Sequence, residues 1–282
     1  MTLPRATWAS FDIKIRELEL RKRTPITPRM LRLTLGGPGM AGFESHLADE
    51  HVKLVFPDRD TGVTRPPTQD GDHLDWPDPM PPVRDCSVRR YDRAAGEIDL
   101  DVVLHDVGLA ATWARTAPLG SSIWVAGPRP GRVVPPAFGF HVLLGDETAL
   151  PAIARWLSEL APSTRAVAAI EVADADEEQP IECHDGAQLT WLHRNGAPAG
   201  STDLLGRYVE SVTLPSDTHT YLWAAGEAGC LKPVRRWARA HGLGKDQSDI
   251  SGYWRRGAAQ DAPESLGERA RHAVAHLLGR DH

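Results

Sequence analysis

Along the first half of the chain, apolar residues recur at every second position. Phe11, Ile13 and Ile15 alternate with polar neighbours, and Leu31, Leu33 and Leu35 do so again. Val52–Phe56, Ile98–Leu104 and Ile123–Val125 add three short runs. Period two is the mark of strands that bury one face. Gly36-Gly37-Pro38-Gly39, Ala95-Gly96 and Gly127-Pro128 punctuate the runs as turns. Short strands at this spacing, with no helical period among them, predict a small antiparallel β-barrel. Residues 57–82 break the pattern. Rich in proline and aspartate, they read as a surface loop.

The second half has a different rhythm. Phe140–Leu144 reads as a buried strand entering Gly145-Asp146-Glu147-Thr148. A helix follows, with Leu150, Ile153, Leu157 and Leu160 on one face and Pro151 in its first turn. Further strands are predicted over Arg165–Val172, Gln188–Leu192 and Thr220–Ala225. The last ends in Gly226-Glu227-Ala228-Gly229 and enters a helix carrying Leu231, Val234, Trp237 and Ala238. Strands alternating with helices imply a parallel sheet. One more amphipathic helix is predicted from Pro263 to Leu278. The expected architecture is a barrel domain over 1–136, an α/β domain over 137–257 and a helical extension over 258–282, with the break in the Pro/Gly-rich segment 127–136. Ligands bind such parallel sheets at the carboxyl ends of the strands. The glycine-rich turn 226–229 offers N–H groups to a phosphate, although a GxGxxG sequence is absent.

Composition narrows the function. At 282 residues with 41% hydrophobic content, the chain has enough material for two cores. Cys86, Cys183 and Cys230 lie far apart, and the 12 histidines show no ligand-like spacing. That argues against a disulfide scaffold and against a metal site. A net charge of -6 argues against general nucleic-acid binding. No window reaches the ~18–20 apolar residues of a membrane helix, and residues 1–20 lack the apolar segment of a signal peptide. The expectation is a cytoplasmic monomer with no nucleic-acid partner and no membrane insertion. Large rings are few, 9 Trp, 4 Tyr and 5 Phe. A planar cofactor would depend on where each is placed.

The segment Val83-Arg84-Asp85-Cys86-Ser87-Val88-Arg89-Arg90-Tyr91-Asp92 resembles the flavin signature, Arg-x-Tyr-Thr-x-Arg, of the siderophore-interacting proteins. These are FAD-dependent ferric-siderophore reductases of the ferredoxin-reductase superfamily. Asp49–Pro57 is similar to the family's early His-Val-Lys strand, and Leu104-His105 with Gly108–Trp113 to its pyrophosphate loop. Ala126-Gly127-Pro128-Arg129, Gly145–Pro151 and Gly252-Tyr253-Trp254-Arg255-Arg256-Gly257 follow in the family's order.

The resemblance implies reduction of Fe(III) in a siderophore by NADH or NADPH through FAD. It assigns Arg84 and Arg89 to the cofactor, Asp85 and Cys86 to the same strand, and Ser87 to the flavin N5 edge. Leu104, His105, Gly108, Ala110, Ala111 and Thr112 would line the cofactor and its diphosphate. Guanidinium forks and close backbone suit a diphosphate. Asp146, Thr148, Gly226, Glu227 and Ala228 are the expected NAD(P)H contacts. Thr148 could equally cap a helix, and Arg194 is a candidate for a 2′-phosphate. Lys53, Arg129 and Arg255 (or Arg256) would form an open basic rim for an anionic chelate. The acidic run Asp174–Glu178 reads as a solvated loop.

One residue departs from the pattern. Cys86 stands where the family stacks a tyrosine on the isoalloxazine, which is worth roughly 0.5–1.5 kcal/mol beyond burial. Weakened or retuned FAD binding is expected, since Arg84, Ser87 and Arg89 remain. Trp8, Trp76 or Trp254 could cover the flavin instead, and outright loss of the cofactor is the third outcome. Two other readings stay open: a non-catalytic flavin or siderophore binder, and a diaphorase-type reductase with another acceptor.

Overall fold

The computed structural model describes residues 3–9, 11–105, 108–129 and 131–257. The helix expected over Pro263–Leu278 lies outside the described residues. The first half contains β1 (Thr7–Ala9), β2 (Lys14–Thr27), β3 (Met30–Gly36), β4 (His51–Val55), β5 (Thr68–Asp70), β6 (His73–Asp75), β7 (Val83–Asp92) and β8 (Glu97–Val103). Helix α1 (Leu109–Thr116), β9 (Ser122–Gly127) and β10 (Gly131–Val133) complete it. Six of these strands close an antiparallel barrel in the order β2-β3-β8-β7-β4-β9. Its interior is filled by the alternating residues read from sequence, among them Leu31, Leu33, Leu35, Val52, Leu54, Ile98, Leu100, Ile123 and Val125. Phe11 and Ile13 fall before β2, and Phe11 stacks on His46 with centroids 4.2 Å apart. The segment 57–82 is more than a loop. It carries the β5–β6 hairpin, tied to the barrel by Gln69, which bonds the Ile13 carbonyl and the Ile15 N–H.

The second half contains β11 (Phe140–Asp146), α2 (Leu150–Glu159), β12 (Arg165–Val172), β13 (Ala187–His193), α3 (Leu204–Ser211), β14 (Thr220–Glu227), α4 (Leu231–Ala240) and β15 (Ser248–Trp254). The five strands are parallel, in the order β13-β12-β11-β14-β15. Alternation along β11 and β14 sends Leu143 and Trp223 to the α2 face, and Val142, Leu144, Leu222 and Ala224 to the α3–α4 face. α3 and β15 were not legible in the sequence. α3 is only two turns long, and β15 is a sheet-edge strand with few apolar residues. Among the described residues no helix is long and apolar enough to cross a membrane.

Buried polar contacts join the halves. Arg155 of α2 donates through Nη1 to Glu50 Oε1 at 3.1 Å and to the Val88 carbonyl of β7 at 3.1 Å. Glu177 accepts from Thr27 Oγ1 at 2.6 Å. The acidic run 174–178 is therefore partly a docking element, and Glu177 is buried. Its sequence signal resembled a solvated loop because the partner lies 150 residues away.

Candidate functional site

Strand β7 positions the motif residues by its pairing with β4. Directly opposite pairs are Leu54 with Arg84, Lys53 with Asp85, Val52 with Cys86 and His51 with Ser87. A bulge interrupts the ladder between Val88 and Arg90, so Arg89 is the extra residue and its side chain is re-aimed. It lies near Arg32, Asp99 and Asp101 of the barrel and Glu182 of the α/β domain. Burial, with Arg32 beside it, pulls its pKa down, and its Nε is buried without a partner.

Helix α1 stands beside the start of β7. Phe56 bonds the Pro82 carbonyl through its N–H and meets Trp113 edge-on at 6.2 Å. Gly108 is the N-cap of α1 and supplies no side-chain cap. A Cβ there would meet only Ala111, at 3.9 Å. The first N–H groups of α1 thus take no side-chain cap from Gly108, as an anion site requires. Ala110 and Leu104 pack on the barrel core, Ala111 is buried, and Thr112 is exposed. His105 is also exposed, and its carbonyl accepts from Arg115 at 2.6 Å. An uncapped helix start, a nearby arginine-bearing strand and an orphaned guanidinium N–H fit a dinucleotide with a diphosphate.

The other face of β7 and β4 gathers charge. Lys53 is buried and pairs with Asp85 at 2.8 Å, so it is not the open cation the sequence suggested. Its place on the inner strand β4, opposite an acid, decides this. Burial pushes Asp85 up, but His51, Lys53 and Arg129 outweigh it and hold the carboxyl below its usual range. Arg129 is brought here by Gly127, whose φ is 137° and whose Cβ would crowd His51 O and Arg129 N at 3.3 Å. The Arg129 N–H bonds that same His51 carbonyl at 3.0 Å. Cys86 packs against the barrel core beside Val52, and burial pushes its thiol up to about 12. Its protonated thiol fills space against the core.

Ser87 is buried, and its hydroxyl lies beside the Tyr253 phenol. Burial, then Asp49 and Asp249, raise the Tyr253 phenol. This ring was not among those proposed from sequence to compensate for Cys86. Trp8 projects into solvent on β1, and Trp76 follows the β5–β6 hairpin. Trp254 turns away, its Nε1 donating to Asp146 at 2.8 Å. An irregularity in β15 explains the exchange: Gly226 pairs with Gly252 and Glu227 with Trp254, so Tyr253 is the extra residue and is aimed apart from Trp254.

At the carboxyl end of the sheet the polar groups are already engaged. Asp146 is buried and accepts from Thr148 N at 2.9 Å, Thr148 Oγ1, Glu227 N at 2.8 Å and the Trp254 indole. Burial, then Glu147, raise its pKa. Thr148 is no N-cap; that position is Ala149. Gly226, at φ 142°, lets this carboxylate in, since a Cβ would stand 2.6 Å from Asp146 Oδ2. Glu227 folds back to accept from the N–H groups of Gly229, Cys230 and Arg256. Burial raises Glu227, but these bonds hold it below its usual range. The Ala228 N–H bonds the Trp254 carbonyl at 2.9 Å. The turn after β14 therefore does not cradle a phosphate, because its donors from 227 to 230 are spent internally. Arg194 is likewise committed: it is buried, clamped by both Glu147 oxygens and 3.6 Å from Glu171. It is not a free receptor for a 2′-phosphate. Arg255 and Arg256 are exposed just beyond β15.

Comparison with known proteins gives concordant results. Residues 19–132 match the family described as siderophore-interacting FAD-binding domain, and residues 139–257 the one described as siderophore-interacting protein. An NADPH-dependent ferric-chelate reductase of Escherichia coli is 31% identical over 247 residues, 86% of this chain and 94% of that one. An uncharacterized protein of Mycobacterium tuberculosis is 38% identical over 252 residues, covering 84% and 88%. The crystal structure of a siderophore utilization protein from T. fusca superposes with a TM-score of 0.85 at 42% identity, covering 90% of this chain and 97% of that one.

Proposed function

Since this chain belongs to the siderophore-interacting protein family, we propose that it reduces ferric siderophores with NAD(P)H through bound FAD. The observation that carries this reading is a barrel strand bearing Arg84 and Arg89 in the same domain as helix α1, whose N-terminus has no side-chain cap. Arg84 and Arg89 would hold the FAD diphosphate, with the backbone of Gly108, Ala110, Ala111 and Thr112 close behind. Leu104 and His105 flank it, Cys86 packs beneath it without stacking, and Ser87 stands at the N5 edge. Bound FAD supplies the conversion of a two-electron donor into single electrons for Fe(III).

The chain's own residues bind, orient and tune, and no nucleophile or general base is required. Ser87 has its hydroxyl beside the Tyr253 phenol, which keeps it at the flavin edge. The ends of β11, β14 and β15, with Asp146, Thr148, Gly226, Glu227, Ala228 and Trp254, form the floor for the nicotinamide donor. Their mutual bonds make that floor rigid. Arg129, Arg255 and Arg256 attract the anionic chelate. Lys53 contributes by neutralising Asp85, which would otherwise repel it. Fe(II) is the weaker partner for hard oxygen donors, so reduction releases the metal. We place the protein in the cytoplasm, where its nicotinamide donor is maintained, as a monomer with barrel, α/β and C-terminal parts at 1–136, 137–257 and 258–282.

The test is the FAD-supplemented full chain assayed with NADH and NADPH on ferric siderophores, ferric citrate, quinones and free flavin. Preference for ferric siderophores is expected. Preference for quinones or free flavin would instead make it a diaphorase. Absence of flavin binding, restored by Cys86→Tyr, would make the natural protein a degenerate binder.

A further inference from the structure

A path of contacts leads from the buried junction of the two domains to Ser87. Asp49, just before β4, accepts the Trp223 indole N–H through Oδ2 at 3.0 Å. Its Oδ1 is buried and has no partner. Trp223 on β14 is buried and meets the ring of Tyr253 edge-on, with centroids 6.4 Å apart. The Tyr253 phenol in turn lies beside the Ser87 hydroxyl. Each link joins a different segment: the barrel, β14, β15 and β7.

We propose that Asp49 is a positioning residue which, by fixing the orientation of Trp223, fixes the Tyr253 ring beside the flavin edge. The inference rests on the assignment of Ser87 to that edge. Tyr253 lies on a sheet-edge strand and is 38% exposed, so the packing around it is incomplete. The Trp223 edge and the Ser87 hydroxyl are the contacts that set its rotamer. Trp223 sits among apolar neighbours such as Leu143 and Ala225, which favour burial without fixing a direction. Its one directional tie is the bond to Asp49. A buried carboxyl oxygen without a partner carries a cost, and Asp49 carries it where the barrel reaches Trp223 of the α/β domain.

The experiment uses the full chain loaded with FAD, reading flavin fluorescence, the dissociation constant for FAD and the KM and kcat for NADH and NADPH. Trp223→Phe keeps an aromatic ring but deletes the N–H together with part of the indole, and Asp49→Leu deletes the acceptor while leaving the indole whole. Each should raise flavin emission by roughly threefold to tenfold, the coupling expected of contacting residues, and the double variant no further than either single. Asp49→Asn keeps an acceptor and should restore emission to near the parent level. If Asp49→Leu does not fold, Trp223→Phe and Asp49→Asn still decide the matter. Unchanged emission in a fully loaded Trp223→Phe, or additive effects in the double variant, overturns the proposal. A parent chain that binds no FAD overturns the functional reading, and the positioning role with it.

Discussion

At the start of α1 the backbone donors have no side-chain cap, and on β7 Arg89 keeps a buried Nε without a partner. At the turn after β14 the donors from 227 to 230 are already bonded to Asp146, Glu227 or Trp254. These two barrel sites thus leave donors open to a ligand, while the turn after β14 closes its own on itself. Buried donors left open carry a cost that a resident ligand removes. A self-satisfied surface suits a partner that comes and goes. The contrast matches a tightly held FAD on one side and a transient nicotinamide donor on the other.

The halves should also answer differently to acid. In the barrel, Asp49 is raised from 3.8 to about 6 by burial and then by Asp249. A carboxyl raised in the folded state favours folding at low pH and loses that contribution as pH rises through about 6. In the α/β domain, His141 is lowered from 6.5 to about 4 by burial. Its contribution is intact above 6.5 and is lost as pH falls toward 4. The two offset each other between about 4 and 6, each by at most about 3 kcal/mol. Asp49→Asn should raise stability at pH 7.5 and steepen acid destabilisation. His141→Phe should flatten or reverse it. Denaturant melts across pH 4 to 7.5 check both, and parallel pH profiles in parent and variants would remove this part of the contrast.

Arg84→Ala tests the arginine strand of the barrel directly, and should weaken FAD binding by about 2 kcal/mol, roughly 30-fold, because a charge-assisted bond to phosphate is lost. The dissociation constant measures this, with the melting temperature of the ligand-free chain little changed. Gly226→Ala is the counterpart in the closed half. Its Cβ would collide with Asp146 at a backbone φ of 142°, costing about 1–3 kcal/mol of stability. There the loss should show in the ligand-free chain. The smallest effect is expected from Cys86→Tyr, which should tighten FAD by roughly 0.5–1.5 kcal/mol if the ring finds the flavin. An unchanged affinity would mean that Tyr253 already serves that need.

Much of the fold could be read from the chain because it is local. Period two over Leu31, Leu33 and Leu35, or the helical spacing of Leu231, Val234 and Trp237, depends on neighbours alone. The missed elements lacked such a signal: β15 buries little of its own surface, and α3 is too short to show a period. The site was legible only as a set of residue types. Arg84, Ser87 and Arg89 were visible through their motif, and Glu227 and Arg194 as polar residues near the right strands.

What each of those residues does was decided by tertiary structure. Lys53 and Arg194 read as free cations and are in fact neutralised by Asp85 and Glu147, residues 32 and 47 positions away. Tyr253 rather than Trp254 reaches Ser87, because a bulge in an unpredicted strand chose between adjacent rings. The sequence by itself determined two domains, their cores and the chemical inventory of the site, since hydrophobic periodicity and residue type are properties of short segments. Charge pairing, donor satisfaction and ring placement depend on which distant segments the folded chain brings within about 3 Å of one another, the range over which hydrogen bonds form.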